Sequence, residues 1–213
     1  MFSKGIIGIA LSFLLFASEA YATDVFKAKS FADIYEPSGA LHAMNGTVYI
    51  IDDEETHPLF SAVVKTGPHG PTLVPQQIKD PALAAKDIEG IAEGQSGELF
   101  LITSHSKNKK GRAKQSRKQL LRLRAQDRTI KELHIFPNLL PALKSTLLRS
   151  GLAESALEKI NIEGLSFSSD KEKLLIGLRS PLQEGKSILL TLENPYELFD
   201  TKNTPRFTER TVF

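Results

Sequence analysis

Asp87-Ile88-Glu89-Gly90-Ile91 and Asn161-Ile162-Glu163-Gly164-Leu165 are two versions of one phrase, and the residues after each are also alike. After the first come a turn at Gln95-Ser96-Gly97, an apolar run from Glu98 to Thr103, a polar elbow at Ser104-His105-Ser106, and a second run from Gln119 to Arg124. After the second come a turn at Ser168-Ser169-Asp170, a run from Lys173 to Leu178, an elbow at Arg179-Ser180-Pro181, and a run from Ser187 to Leu192. The runs are short, rich in β-branched and leucine residues, and bounded by turn formers, which reads as strands. A fainter copy precedes them: Ser38-Gly39-Ala40-Leu41, then Val48 to Ile51, then Asp52-Asp53-Glu54, with Ser38 standing where the others carry Glu. Short strands recurring every few tens of residues predict a mainly β fold of propeller-like blades.

Working outward, Thr47 to Ile51 is a buried strand entered through an Asn45-Gly46 turn, and Leu59 to Val64 is its antiparallel neighbour. Asn45-Gly46-Thr47 also matches a glycosylation sequon, but Asn-Gly is a turn signal and that reading is preferred. Gly67-Pro68-His69-Gly70-Pro71 reads as a loop. Between the two full copies, Leu139, Leu140, Leu143, Leu147 and Leu148 share one helical face, with Gly151 as a stop and Ala153 to Ile160 as a second short helix. The reading is therefore about three blades with a helical insertion near residues 138–160. Propellers close with about four to eight blades, so an incomplete one is expected. The polar stretch Thr201 to Phe213 offers no closing strand beyond Glu209 to Phe213. A fragment of a longer parent, closure by a partner or by self-association, and an open sandwich all fit that shortfall.

The N-terminus predicts export. Lys4, an apolar run from Ile6 to Phe16 and Ala20-Tyr21-Ala22 make the three parts of a signal peptide, residues 1–22, with cleavage after Ala22 and a single domain over residues 23–213. The apolar run would span about 16 Å as a helix, roughly half a bilayer core, so no transmembrane segment is expected in the mature chain. The periplasm or the exterior is the expected address. The chain has no cysteine, which excludes disulfides, cysteine–zinc sites, cysteine nucleophiles and cysteine lipidation. A formal charge of +2 predicts no partner by itself.

Taken together, Asp87-Ile88-Glu89-Gly90, the Ser104-His105-Ser106 elbow, Arg117 with Leu120 and Arg122, Asn161 to Leu165, and Gly177-Leu178-Arg179-Ser180-Pro181-Leu182 resemble the bacterial domain-of-unknown-function 3616 family, from about Ser38 to Asn194. The resemblance implies an exported β-propeller of no assigned activity, in a family whose members run longer, with further Glu-Gly segments. Through the Asp-x-Glu-Gly pattern the chain is similar, more weakly, to exported esterase-like phytase propellers. That likeness implies phosphoester hydrolysis or calcium binding, and no catalytic residue is carried over from it.

Glu89 and Glu163 lead the candidate site residues. A carboxylate on a buried strand is costly unless paired or metal-bound. If the repeats are blades, the two converge on the central channel. One reading has them bracing backbone N–H groups or pairing with Arg; the other has them holding Ca²⁺ or Mg²⁺. Arg179 and His105 occupy matching elbows: Arg179 as a clamp for carboxylate or phosphate, or as a partner of Glu89 or Glu163, and His105 as a general base or an ordinary loop histidine. Ser104 beside His105 is no triad evidence, since neighbouring strand residues face opposite ways. From Lys107 to Arg124 the chain carries nine Lys or Arg and no acid. Lys109, Lys110, Arg112 and Arg117 are the candidates there for an anionic small molecule or an anionic surface polymer, against a solvated loop. Nucleic acid is not an expected partner, because aromatic interleaving is absent and export gives little access to it. Asp52-Asp53-Glu54-Glu55 with His57 reads as a charged turn rather than a metal loop. No Walker loop, G-x-S-x-G elbow, H-E-x-x-H or dinucleotide fingerprint is present. Two functions remain open: a binding or scaffold module with a bound divalent cation, and a metal-dependent hydrolase of phosphoesters or related esters. A truncated remnant without a function of its own is the third possibility.

Overall fold

Three antiparallel sheets carry the repeat, and in each the main strands pair in chain order. The first runs β1 (Pro37–His42), β2 (Thr47–Asp52), β3 (Leu59–Gly67) and β4 (Gly70–Leu73), with the short β5 (Gln76–Gln77) also on β3. The second runs β6 (Ile88–Glu93), β7 (Leu99–Thr103), β8 (Leu120–Gln126) and β9 (Thr129–Phe136). The third runs β10 (Asn161–Phe167), β11 (Leu174–Gln183), β12 (Lys186–Leu192) and β13 (Phe207–Val212). This computed structural model describes residues 34–213 apart from 54–55, 68–69, 109, 113, 201–202 and 213. The expected signal peptide and Lys109 therefore lie outside the described residues. The chain is mainly β and propeller-like, and among the described residues its sheets do not close into a ring.

The first strand of each sheet is the inner one: β6 lies against both β1 and β10. Each inner strand opens with the same irregularity. Pairing jumps between Pro37 and Gly39, between Ile88 and Gly90, and between Ile162 and Gly164. Ser38, Glu89 and Glu163 are thus equivalent bulge residues, left out of the ladder and re-aimed by it. The repeat seen in sequence is this bulge. The glycine after it has its own cause. A Cβ at Gly90 would stand 2.6 Å from Cβ of Leu165 and 3.0 Å from its backbone N; one at Gly39 would meet Ile51 at 3.1 Å and Ile91 at 3.6 Å. The inner strands approach too closely at Gly90 for a side chain.

Alternation along the strands sends one face of each sheet to each neighbour. Tyr49, Ile51 and Leu59 of the first sheet meet Ile91, Leu99, Leu101, Leu121 and Leu123 of the second in one core. Phe100, Ile102 and Leu120, from the other face of the second, meet Ile162, Leu174, Ile176, Leu178 and Leu190 of the third in another. The helical insertion covers this second core. In α1 (Leu140–Arg149), Leu143 and Leu147 are fully buried, as is Leu139 just before it, while Leu148 is exposed. The helix starts where the Asn138 side chain accepts from Leu140 N at 3.1 Å, and ends at Gly151, whose φ is +85°. The expected second helix is a 3₁₀ segment, Glu154–Lys159. No helix among the described residues is long and apolar enough to cross a membrane.

Some expectations needed correction. Gly67, Gly70 and Pro71, expected in a loop, are instead paired in a β3–β4 hairpin, Thr66 with Pro71 and Gly67 with Gly70. Strand β9 carries no period-2 signature in sequence, because Thr129-Ile130-Lys131-Glu132-Leu133-His134 lacks strict alternation. Its residues are half-exposed or exposed, and a register shift between Arg124 and Ala125 on β8 breaks its period. The third sheet does have its fourth strand, starting at Phe207, which is buried against Leu192. The sequon's Asn45-Gly46 is a turn, with Gly46 at φ +80° and the Asn45 side chain accepting from Thr47 N at 2.9 Å.

The glycine contacts separate two substitutions that look alike in sequence. Gly90→Ala should destabilise the fold by about 1–3 kcal/mol through overpacking. At Gly164 the nearest atom to an added Cβ is Cα of Gly177 at 3.5 Å, an ordinary contact. Within a single chain, Gly164→Ala should therefore be neutral or stabilising by up to about 1 kcal/mol, through the unfolded chain. Urea unfolding of both variants checks the contrast; equal losses would mean that the inner strands are not in close contact at Gly90.

Candidate functional site

The bulges bring charged residues to one end of the inner strands, where the elbows also lie. Glu89 leaves the ladder of β6, and Asp87 precedes it with φ +62°, a left-handed backbone that Asp tolerates better than most residues. Asp53 arrives from the first sheet, just beyond β2, and its carbonyl accepts from Asp87 N at 3.2 Å. One carboxylate oxygen from each of Asp53, Asp87 and Glu89 lies within 4.8 Å of the others, and all three residues are half-buried. Burial, followed by the negative charges of Asp87, Glu163 and Asp53, pushes Glu89 up to about 8, with Arg117 acting the other way. Charge of one sign at a partly dry position has this effect.

The Ser104-His105-Ser106 elbow frames the group. Ser104 Oγ donates to the Asp87 carboxylate, and the Arg117 guanidinium pairs with the same carboxylate. Arg117 Nη2 also donates to Ser106 Oγ at 3.0 Å, and Ser104 Oγ lies 2.9 Å from Ser106 Oγ. Backbone bonds fix the frame: Ser104 N to Asp87 O at 2.9 Å, His105 N to Arg117 O at 2.8 Å, and Ile162 N of the third sheet to Ser104 O at 2.8 Å. Arg117 thus enters the site from the predicted basic cluster, and it does so bound to a protein acid rather than free.

The other predicted residues are placed differently. Glu163 keeps the bulge position but is exposed, unlike the buried strand expected of it; Arg179 Nη1 pairs with it at 3.1 Å and Asn161 Nδ2 donates to it at 2.8 Å. The Arg179 side chain is itself 72% exposed, so this pair contributes little stability. Glu163 reaches Glu89 through its charge and not as a member of the three-carboxylate group. His105 bonds to the strand just before it. It is buried, with Nδ1 2.7 Å from the Thr103 carbonyl, which places the proton on Nδ1 because a carbonyl only accepts. Burial and then the Lys118 charge hold it down at about 4. Lys110 and Arg112 are exposed on the loop, and Lys107 reaches Glu158 at 3.0 Å.

Two site residues escaped sequence reading. Asp87 sits inside the repeated phrase, opposite Asn161, and the difference between an acid and its amide was the available signal. Asp53 was visible within an acidic run, but its run-mate Asp52 serves elsewhere. Asp52 is fully buried and accepts from Tyr35 N at 2.9 Å and Glu36 N at 3.2 Å. Nothing local distinguishes these two aspartates. No protein-family model and no curated protein matches the chain.

His105 gives a pH test. An unfolded histidine takes its proton near pH 6.5 and this one near 4. Between those values the unfolded state binds more protons, so stability falls as pH drops through the window. An NMR titration should put the His105 midpoint near 4; a midpoint near 6.5 would return it to the candidates for general base.

Proposed function

We propose that this is an exported binding module that holds a divalent cation, Ca²⁺ above all, at Asp53, Asp87 and Glu89. The observation that carries the reading is the convergence of three carboxylate oxygens within 4.8 Å at the meeting of two sheets. It is supported by the elevation of Glu89 to about 8, caused first by burial and then by the neighbouring charges of Asp87, Glu163 and Asp53. Hard carboxylate oxygens suit Ca²⁺ or Mg²⁺, and the irregular backbone here fits the more tolerant coordination of Ca²⁺. A cation held this way attracts an anion on its open side. The exposed Lys110 and Arg112, on the loop that also supplies Arg117, extend that attraction. The ligand class is then an anionic small molecule or an anionic surface polymer. Membership of the domain-of-unknown-function 3616 family, on the Asn-Ile-Glu-Gly and Gly-x-Arg-Ser-Pro phrases, belongs to the same proposal.

A second reading, a metal-dependent hydrolase of phosphoesters or related esters, draws on the Ser104 hydroxyl set against Asp87 beside Arg117. His105 lends it no support, being buried with its Nδ1 on the Thr103 carbonyl. Turnover of a phosphomonoester panel with added Ca²⁺ or Mg²⁺ tests it directly.

Calcium linkage tests the main reading. An extracellular-type site binds with a dissociation constant of about 0.1–1 mM. Against the weaker end of that range, 10 mM Ca²⁺ adds about 1.4 kcal/mol, or roughly 3–6 °C in Tm for a chain of this size. The rise should vanish in the Asp87→Asn, Glu89→Gln double variant, whatever the starting Tm of that variant. The same Ca²⁺ increment in both proteins, or none in the wild type, would reject the site.

A further inference from the structure

The two sheet-to-sheet junctions obey one rule, and the outer flanks of the array carry its two unmatched halves. At each junction an inner-strand glycine makes a bare spot that faces the next sheet. The residue following the glycine in that next sheet occupies it: Ile91 beside Gly39, and Leu165 beside Gly90. Across the ladder from each glycine stands an isoleucine, Ile51 or Ile102, pointing the same way. The third sheet repeats the glycine at 164, but its ladder partner is Gly177, and among the described residues an added Cβ would meet only the Gly177 backbone within 4 Å. Since Ile176 and Leu178 face the second sheet, Gly177 faces away from it. On the same outward face, Leu175 and Leu189 are only half-buried. At the opposite flank, Ala40 follows Gly39 as Ile91 follows Gly90 and Leu165 follows Gly164, and Ala40 is exposed.

We propose that two copies of this chain join through these flanks into a closed ring of six sheets, the third sheet of each against the first sheet of the other, with Ala40 of one copy on the Gly164–Gly177 spot of its mate. The contact continues the junction already made twice within the chain. A small residue on a double glycine lets two backbones approach closely, as the junction at Gly90 does. Six sheets fall within the range of about four to eight at which propellers close. A two-fold axis satisfies both flanks of both copies at once, so the head-to-tail contact closes instead of propagating. Closure also continues the elbow contacts. Asp53 O accepts from Asp87 N and Ser104 O from Ile162 N; in the ring, the Arg179–Ser180 elbow of one copy meets the start of β1 in the other. Ring closure does not depend on the cation.

Sedimentation equilibrium of the protein as recovered from cells, with its N-terminus read by mass spectrometry, tests the ring. The wild type should sediment as two chain masses at micromolar concentration. Gly177→Arg places a charge on the spot where an added Cβ meets the Gly164 backbone at an ordinary 3.5 Å, and Ala40→Arg does so from the other flank at an exposed position. Each should weaken the dimer by about a hundredfold or more, the cost of burying an unpaired charge, while circular dichroism and cooperative unfolding are kept. Should Gly177→Arg fail to fold, Ala40→Arg carries the test. A folded wild-type monomer, an assembly of three or more copies, or a dimer that survives the folded variants would each overturn the proposal.

Discussion

The close approach of inner strands at Gly90 is the constraint on which the rest of the structure depends. With Leu165 closer than a Cβ could stand, the second and third sheets are held face to face at their narrow edge, and their flanks diverge outward. That wedge is filled by the larger side chains. Phe100 makes edge-on contacts with Phe167 at 5.0 Å and with Tyr196 at 5.5 Å, while Arg122 lies over the Tyr196 ring at 5.8 Å. The Tyr196 hydroxyl donates to Lys171 O at 2.8 Å and accepts from Gln95 N at 3.0 Å, tying the turn of one sheet to the turn of the next. Small at the centre and aromatic farther out is the packing that a wedge requires.

The same geometry explains why charge collects at one end. A bulge at the start of each inner strand turns one residue out of the ladder, and the elbow of the preceding sheet lies against that point. The far end is built otherwise: Glu93 accepts from Met44 N at 3.1 Å and pairs with Lys171 at 3.5 Å, so the turns of three sheets are linked by balanced charge. At the elbow end, Asp53, Asp87 and Glu89 face Arg117, and the balance is negative. The two ends thus divide the work, one joining sheets and the other gathering acids.

Among the acids at the elbow end, side-chain bonds orient Asp87. Asp87 is fixed by Ser104, Arg117 and its own left-handed backbone. Its carboxylate is therefore held in one orientation by the protein itself. His105, one residue along the elbow, has the opposite fate, because its side chain enters the interior and becomes a neutral part of the packing. Adjacent residues on one elbow serve a charged cluster and a core respectively.

By itself the sequence determined the repeat, the strands inside it and the helical insertion. These are local facts: a turn residue, a run of β-branched side chains or a glycine after an acid is written at one place in the chain. Strand β9 and the hairpin at Gly67–Gly70 were harder to read because their pattern rests on pairing partners and register, not on their own periodicity. Only the tertiary structure decided which acids meet. Asp53 and Asp87 belong to different sheets, and Asp52 and Asp53 differ solely in which way the chain turns after β2. It also decided that Glu163 is exposed while Glu89 is half-buried, because the third sheet fills the flank beside the second, and no described residue stands beyond Gly164. Burial, and with it the proton affinity of a carboxylate, depends on the groups standing opposite, and those are supplied by residues far away along the chain.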